Sequence, residues 1–299
     1  MNKEIRSMLL LLLTAAIWGF AIAFQREGSR YLPPFSFNAC RFLLGGAAML
    51  PLMLRENKHR ASPLKKSDLL PGMALGAILF LASLLQQAGV SGAGAGKAGF
   101  LTALYVVLVP VMGLLVGKKT GLFTWLALGI ALPALYLLCV PRGEKFTLAP
   151  WDGLLLLGAV FWALHILCTD QFVRRVSPLK LCLIQFFSGA ALNFLCAALF
   201  EAFTLENLRH ALIPVLYCGL LSTGLGYLLQ TLGQAGCRPA PAALILSLES
   251  VFCVVAGAVM LAERMSGREY AGCALMLFAV ILAQGGALIA PRKESLPHV

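Results

Sequence analysis

The chain has 299 residues, of which 60% are hydrophobic and 12% charged, and its formal net charge is +11. A soluble domain carries roughly 25% charged residues, so this composition excludes an ordinary water-soluble protein. No basic patch is interleaved with aromatic residues, which argues against a nucleic-acid partner.

A helix that crosses a bilayer needs about 20 mostly apolar residues. Ten such segments follow one another, at 7–25, 35–54, 69–89, 98–116, 121–140, 153–170, 179–200, 211–233, 241–261 and 269–289. The first follows Lys3 and Arg6 as a signal peptide would, but its apolar run is too long and lacks a clear small-residue cleavage site. It reads as an uncleaved span. Met8–Leu13 and Leu154–Leu157 are apolar all round, unlike amphipathic helices in water. No segment alternates with period two, so a β-barrel is not expected. The fold class is an all-α integral membrane protein of ten transmembrane helices. The longest linkers, Arg55–Asp68 and Pro141–Asp152, are too short for a soluble domain.

Taking the N-terminus as inside, the inner segments carry 15 Lys and Arg and the outer segments 8. The positive-inside rule then places both termini in the cytoplasm, with the plasma (inner) membrane as the location. The nine cysteines form no CxxC pair and lie mostly inside spans, where they read as small buried hydrophobes. No metal or cofactor is expected.

The chain repeats itself at a constant offset of 144 residues. Trp18 falls on Trp162, Pro34 on Pro178, Leu85-Gln86 on Leu229-Gln230, and Leu104, Val107 and Gly113 on Leu248, Val251 and Gly257. The halves divide as 1–145 and 146–299, each with five spans. Because five is odd, the second copy enters the membrane from the opposite side. Such inverted pairs are common in secondary transporters, with the substrate near the midplane between the halves.

Three motifs of the first half are Trp18-Gly19-Phe20, Cys40-Arg41-Phe42-Leu43 and Lys97-Ala98-Gly99-Phe100-Leu101. The second half adds Ser247-Leu248-Glu249-Ser250-Val251-Phe252 and Ala262-Glu263-Arg264. Together they resemble the EamA family of the drug/metabolite transporter superfamily, across essentially the whole chain. The family has proline where this chain has Ser250 and glycine where it has Ala262. The resemblance implies ten spans, cytoplasmic termini, a central cavity, and movement of small metabolites, often outward.

Candidate site residues come from polar and aromatic groups inside spans. Thr14, Trp18, Ala21 and Gln25 share one helical face, and one repeat later that face reads Gly158, Trp162, His165 and Thr169. Ser83, Gln86 and Gln87 share another, matched by Thr223, Tyr227, Gln230 and Gln234. Polar side chains at midspan avoid lipid and face the bundle interior. Glu249 is the acid deep in a span, and its repeat mate is Tyr105, one turn from Thr102. A buried carboxyl can carry a proton or meet an amine. The expected substrate-binding set is Trp18, Gln86, Tyr105, Trp162, His165, Tyr227, Gln230 and Glu249, with Glu249 also coupling transport to protons. Helix packing is the competing role for each. Arg41 could hold a substrate carboxylate or tie a helix to carbonyls, and Lys97 could contact substrate or anchor at the interface.

Gly94-Ala-Gly96-Lys-Ala-Gly99 fits a dinucleotide fingerprint but follows a membrane helix instead of a strand. His165 and Asp170 have acyltransferase spacing without an accompanying acyltransferase pattern. The leading expectation is a secondary transporter of small organic solutes, such as amino acids or drug-like compounds, and not an enzyme. A membrane-embedded enzyme and a structural or regulatory membrane protein are the alternatives.

Overall fold

The computed structural model describes residues 3–60, 63–92, 95–140, 149–202, 204–260 and 265–289. The described residues form α-helices and one π-helical segment, with no strand among them. Nine of their helical stretches are long and apolar enough to cross a membrane. A further helix of 23 residues, Gly267–Ile289, covers the tenth predicted segment.

Besides the tenth, six predicted spans appear as single helices, longer at most ends than their apolar cores: α1 (Lys3–Gly28), α2 (Pro34–Arg60), α3 (Lys66–Gly92), α6 (Leu122–Cys139), α7 (Pro150–Phe172) and α8 (Pro178–Phe200). Proline starts α2, α7 and α8, where its missing N–H costs no hydrogen bond. At α8 the Ser177 side chain also caps the backbone N–H of Lys180. At α2 the Glu201 carboxylate does this work from across the bundle, accepting from Phe35 N at 2.9 Å and Ser36 N at 2.7 Å.

Three predicted spans differ from single α-helices. The fourth is broken at Leu104 into α4 (Ala95–Ala103) and α5 (Tyr105–Leu115). The ninth is broken at Ser247-Leu248 into α12 (Pro239–Leu246) and α13 (Glu249–Met260). Leu104 and Leu248 are repeat mates, so both halves bend at one position. The turn tightens at each break: Val107 N donates to Leu104 O at 3.0 Å, and Leu248 N to Ile245 O at 3.1 Å. An apolar stretch satisfies a length criterion whether or not its backbone runs straight, so hydropathy could not reveal these bends.

The eighth span runs as α10 (Leu212–Leu216), a π segment (Tyr217–Gly226) and α11 (Tyr227–Gln234). The short α9 (Leu205–His210), capped by Thr204, precedes it and has no counterpart in the predicted elements. The last helix, Gly267–Ile289, is α14.

The halves interlock. The mates α2 and α8 pack on each other, as do the mates α6 and α14. By contrast α1 packs against α13, α11 and the π segment of the second half, while α7 packs against α3, α4 and α5 of the first. Glycine allows α1 a close crossing: a Cβ on Gly19 would lie 2.5 Å from Phe252 Cβ and 2.6 Å from Glu249 O. This exchange brings Trp18 beside Glu249, although 231 residues separate them. Ion pairs join the halves at one end of the bundle, Lys118 to Asp170 at 2.6 Å and Lys180 to Asp68 at 3.0 Å. Leu70, Leu115, Leu199 and Ile281 are exposed, as a lipid-facing surface requires.

Candidate functional site

A central cavity lies between the halves and encloses about 510 Å³ of empty space, its open mouth included. Seven of the eight predicted residues line it: Trp18, Gln86, Tyr105, Trp162, Tyr227, Gln230 and Glu249.

Tyr227 is the hub of the aromatic wall. Its ring centroid is 4.9 Å from Trp18 and 6.3 Å from Trp162, so one tyrosine sits between the two matched tryptophans. The Trp18 indole N–H donates to the Ser222 carbonyl at 3.0 Å, a group presented by the π segment. Trp162 Nε1 is buried and has no partner. Tyr105 and Glu249 each open the half-helix that follows a break. The buried Tyr105 hydroxyl lies beside the Glu249 carboxyl without meeting strict hydrogen-bond geometry. Trp162 Nε1, Gln230 Oε1 and Arg41 Nε are thus three buried polar atoms of cavity residues that lack a partner.

His165 falls elsewhere. It is fully buried, its Nε2 lies 3.0 Å from Gln185 Oε1, and it meets Tyr227 from the side away from the cavity lining. The lining keeps Trp18, Gln25 and Trp162 of the expected faces and differs by one residue in each helix. The lining of α1 is Trp18, Ile22 and Gln25, and that of α7 is Trp162 and Ile166, where Ala21 and His165 had been expected. One residue turns an α-helix by about 100°, enough to aim His165 at α8. Ile22 and Ile166 are identical at the repeat offset, a signal carried by apolar residues.

The π segment explains a second shift. Its wider turns put Ser222 in the lining. Thr223, expected on that face, instead meets α2, since a Cβ on Gly45 would lie 2.5 Å from Thr223 Cγ2. The glutamines divide by role. Gln86 and Gln230 line the cavity, whereas Gln87 Nε2 donates to Gln25 O at 3.2 Å and Gln234 Nε2 to Ile166 O at 3.0 Å. Ser83 bonds back to Phe80 O within its own helix. Gln25, Thr102 and Arg41 also line the cavity.

His165 and Asp170 are absent from the cavity lining. Asp170 pairs with Lys118 and Arg174, while His165 pairs with Gln185. Gly94 of the glycine-rich run, the Lys97 side chain and residues 262–264 lie outside the described residues. No cluster of three potential metal ligands occurs among the described residues.

The cavity is one of two adjoining spaces. A smaller pocket shares Ile22, Gln25, Gln86, Thr102 and Glu249 with it and continues to Val90, Ala98 and Gly99, at the α3–α4 end of the bundle. The ion pairs Lys118–Asp170 and Lys180–Asp68 stand at the start of α3 and α8 and the end of α7, the other end.

Comparison with known proteins agrees with this two-part architecture. A solved crystal structure superposes with a TM-score of 0.79, covering 95% of this chain and 99% of the other at 19% identity, a likeness of fold. An uncharacterized transporter of Archaeoglobus fulgidus is 30% identical over 290 residues, covering 94% of this chain and 86% of that protein. The EamA-like transporter family matches residues 5–140 and again 149–284, intervals displaced by the same 144 residues as the internal repeat. The chain is a multi-pass membrane protein and belongs to the EamA-like transporter family.

Proposed function

We propose that this transporter carries small organic metabolites, amino acids and drug-like solutes among them, outward across the plasma membrane by alternating access. The observation that carries the reading is the cavity itself. Residues from both halves converge on it, and three of its buried polar atoms have no partner. Unmet polar atoms at a buried site are costly, and a solute that pairs with them recovers that cost. The aromatic wall of Trp18, Trp162 and Tyr227 supplies contact for an apolar body.

In this reading the chain has ten spans in two inverted halves, 1–145 and 146–299, with both termini cytoplasmic. Rocking of the halves about the cavity exposes it to each side in turn. Glu249 couples the cycle to protons, releasing its proton when solute binds or when the cavity changes sides. Tyr105, its repeat mate, is the adjacent hydroxyl that can steady either protonation state.

The test is Glu249→Gln in proteoliposomes. It keeps size and hydrogen bonding and removes titration. Transport driven by a pH gradient is expected to stop, while exchange at equal pH persists. Unchanged pH dependence would leave Glu249 a packing residue and the protein a facilitator. Orientation is checked separately by single cysteines in a background without the nine native ones. An impermeant thiol reagent on intact cells should label Arg30→Cys and spare Lys119→Cys. The reverse pattern would invert the topology.

A further inference from the structure

We propose that Arg41 anchors a carboxylate of the transported solute, so that the cavity selects small organic monocarboxylates with an apolar or aromatic body. The inference deepens the transporter reading above and rests on it.

Arg41 sits inside α2, is 3% exposed, and lines the cavity. A buried guanidinium needs compensation, because the charge has lost its hydration. No carboxylate pairs with Arg41 among the described residues, and its Nε is buried without a hydrogen-bond partner. Its charge rests on the Phe42 ring, 4.9 Å from the centroid, and more loosely on Phe37 at 5.9 Å. Rings offer a cation a weak quadrupole, and they leave the planar edge of the guanidinium available. That edge matches a carboxylate with two parallel N–H···O bonds.

The rest of the cavity limits what the anion can be. The titratable neighbours facing Arg41 are Tyr227 and Cys218, and neither is a cation. The repeat mate of Arg41 is Gln185, which is occupied by His165 outside the cavity lining. Among the described residues the lining offers one fixed positive charge, fitting one negative charge on the solute. Glu249 lines the same cavity with Tyr105 as its facing titratable group, and Tyr227 stands within electrostatic reach of both Arg41 and Glu249. A second negative charge on the solute would meet Glu249 unfavourably. Trp18, Trp162 and Ile166 then enclose the apolar body.

The experiment measures thermal stabilisation of the purified full chain in detergent by two matched pairs of probes. One pair is 3-phenylpropionate and 3-phenylpropionamide, and the other is phenylalanine and phenylalaninamide. Within each pair the acid should bind at least roughly tenfold more tightly than the amide, as a charge-assisted bond implies. Arg41→Gln should level both pairs. Arg41→Lys should keep the preference at reduced affinity, because it retains the charge and loses the fork. Amides that match their acids in the native chain overturn the proposal. So does Arg41→Gln protein that elutes as a single folded species and still prefers the acids. If acids and amides bind equally and Trp162→Ala weakens both, the cavity reading survives and only the carboxylate anchor falls. If none of the four probes binds, both the anchor and the aromatic selectivity of the cavity are wrong.

Discussion

The third helix and its counterpart one repeat later hold the same place in the architecture and wind differently. The first, α3, is one α-helix from Lys66 to Gly92. The second passes through ten residues of π-helix at Tyr217–Gly226. Side-chain bulk separates them. Leu75, Ile78, Leu79 and Phe80 in α3 correspond to Gly219, Ser222, Thr223 and Gly224 in the π segment. Small residues allow the wider turn and let neighbours reach the backbone. Trp18 uses that access to donate to the Ser222 carbonyl. Its mate Trp162 faces α3, whose carbonyls are engaged in regular helix, and its N–H stays unpartnered. The same residue type at the same repeat position is thus fastened in one half and free to meet a solute in the other. π-Helical turns recur at functional sites, and this one also delivers Tyr227 to the centre of the aromatic wall.

At one matched contact the two crossings place the glycine on opposite partners. Where α1 meets the π segment, Thr14 Oγ1 donates to Gly226 O at 3.3 Å. Where α7 meets α3, the glycine is Gly158, the mate of Thr14, and Ala82 stands in the place of Gly226.

The largest expected effect comes from closing an approach of helix backbone to helix backbone. Gly19→Ala places a methyl within 3 Å of Phe252 Cβ, Glu249 O and Cys253 N. Two of those atoms are backbone and cannot swing aside, so the cost should reach about 3 kcal/mol, the upper end for overpacking. Heated detergent samples, followed by the monomer peak on size exclusion, should lose folded protein well below the native temperature. Native-like survival would show that α1 can move off α13 freely.

Gly226→Ala sharpens the comparison directly. Its methyl would lie 2.7 Å from Trp18 Nε1, a side chain that can shift only by giving up Ser222. A cost of about 2 kcal/mol is expected. Gly158→Ala meets nothing nearer than Leu85 Cβ at 3.4 Å and should be neutral, or stabilising by up to about 1 kcal/mol through helix propensity. Equal effects at the two glycines would erase the distinction between the crossings.

Lys180→Gln separates the halves at their ion-paired end. Lys180 and Asp68 are covered by neighbours, with 6% and 8% side-chain exposure, yet they stand at helix starts near the membrane surface. Water near that surface screens the pair, so a loss of about 1–2 kcal/mol is expected, between the exposed and desolvated limits. The exposed Arg30–Glu27 pair provides the contrast, and Arg30→Gln should change thermal stability by about 0.5 kcal/mol or less.

The smallest effect concerns the tryptophans. Trp18→Phe leaves Ser222 O without its donor and should cost about 1 kcal/mol. Trp162→Phe removes an N–H that has no partner and should leave stability nearly unchanged. In the transporter reading, Trp162→Phe should nonetheless reduce solute transport. Unaltered transport in that variant would mark Trp162 as a packing residue.

Hydropathy, repeat offset and charge placement are local properties of the chain, and they set out the membrane class, the helical segments and the two-part plan. Trp18, Trp162, Gln86, Gln230, Tyr105 and Glu249 stood out because each breaks an apolar segment or recurs at the offset of 144. Three features arose only from tertiary packing. The bends at Leu104 and Leu248 leave an apolar run unchanged in composition, so no hydropathy pattern records them. The π winding at Tyr217–Gly226 depends on neighbours that exploit small residues, and it moved Ser222 into the cavity and Thr223 out of it. The one-residue difference that set Ile22 and Ile166 in place of Ala21 and His165 follows from which helices α1 and α7 meet. Periodicity defines a face only to within about one residue, and packing against the opposite half chose the side chains that reach the cavity.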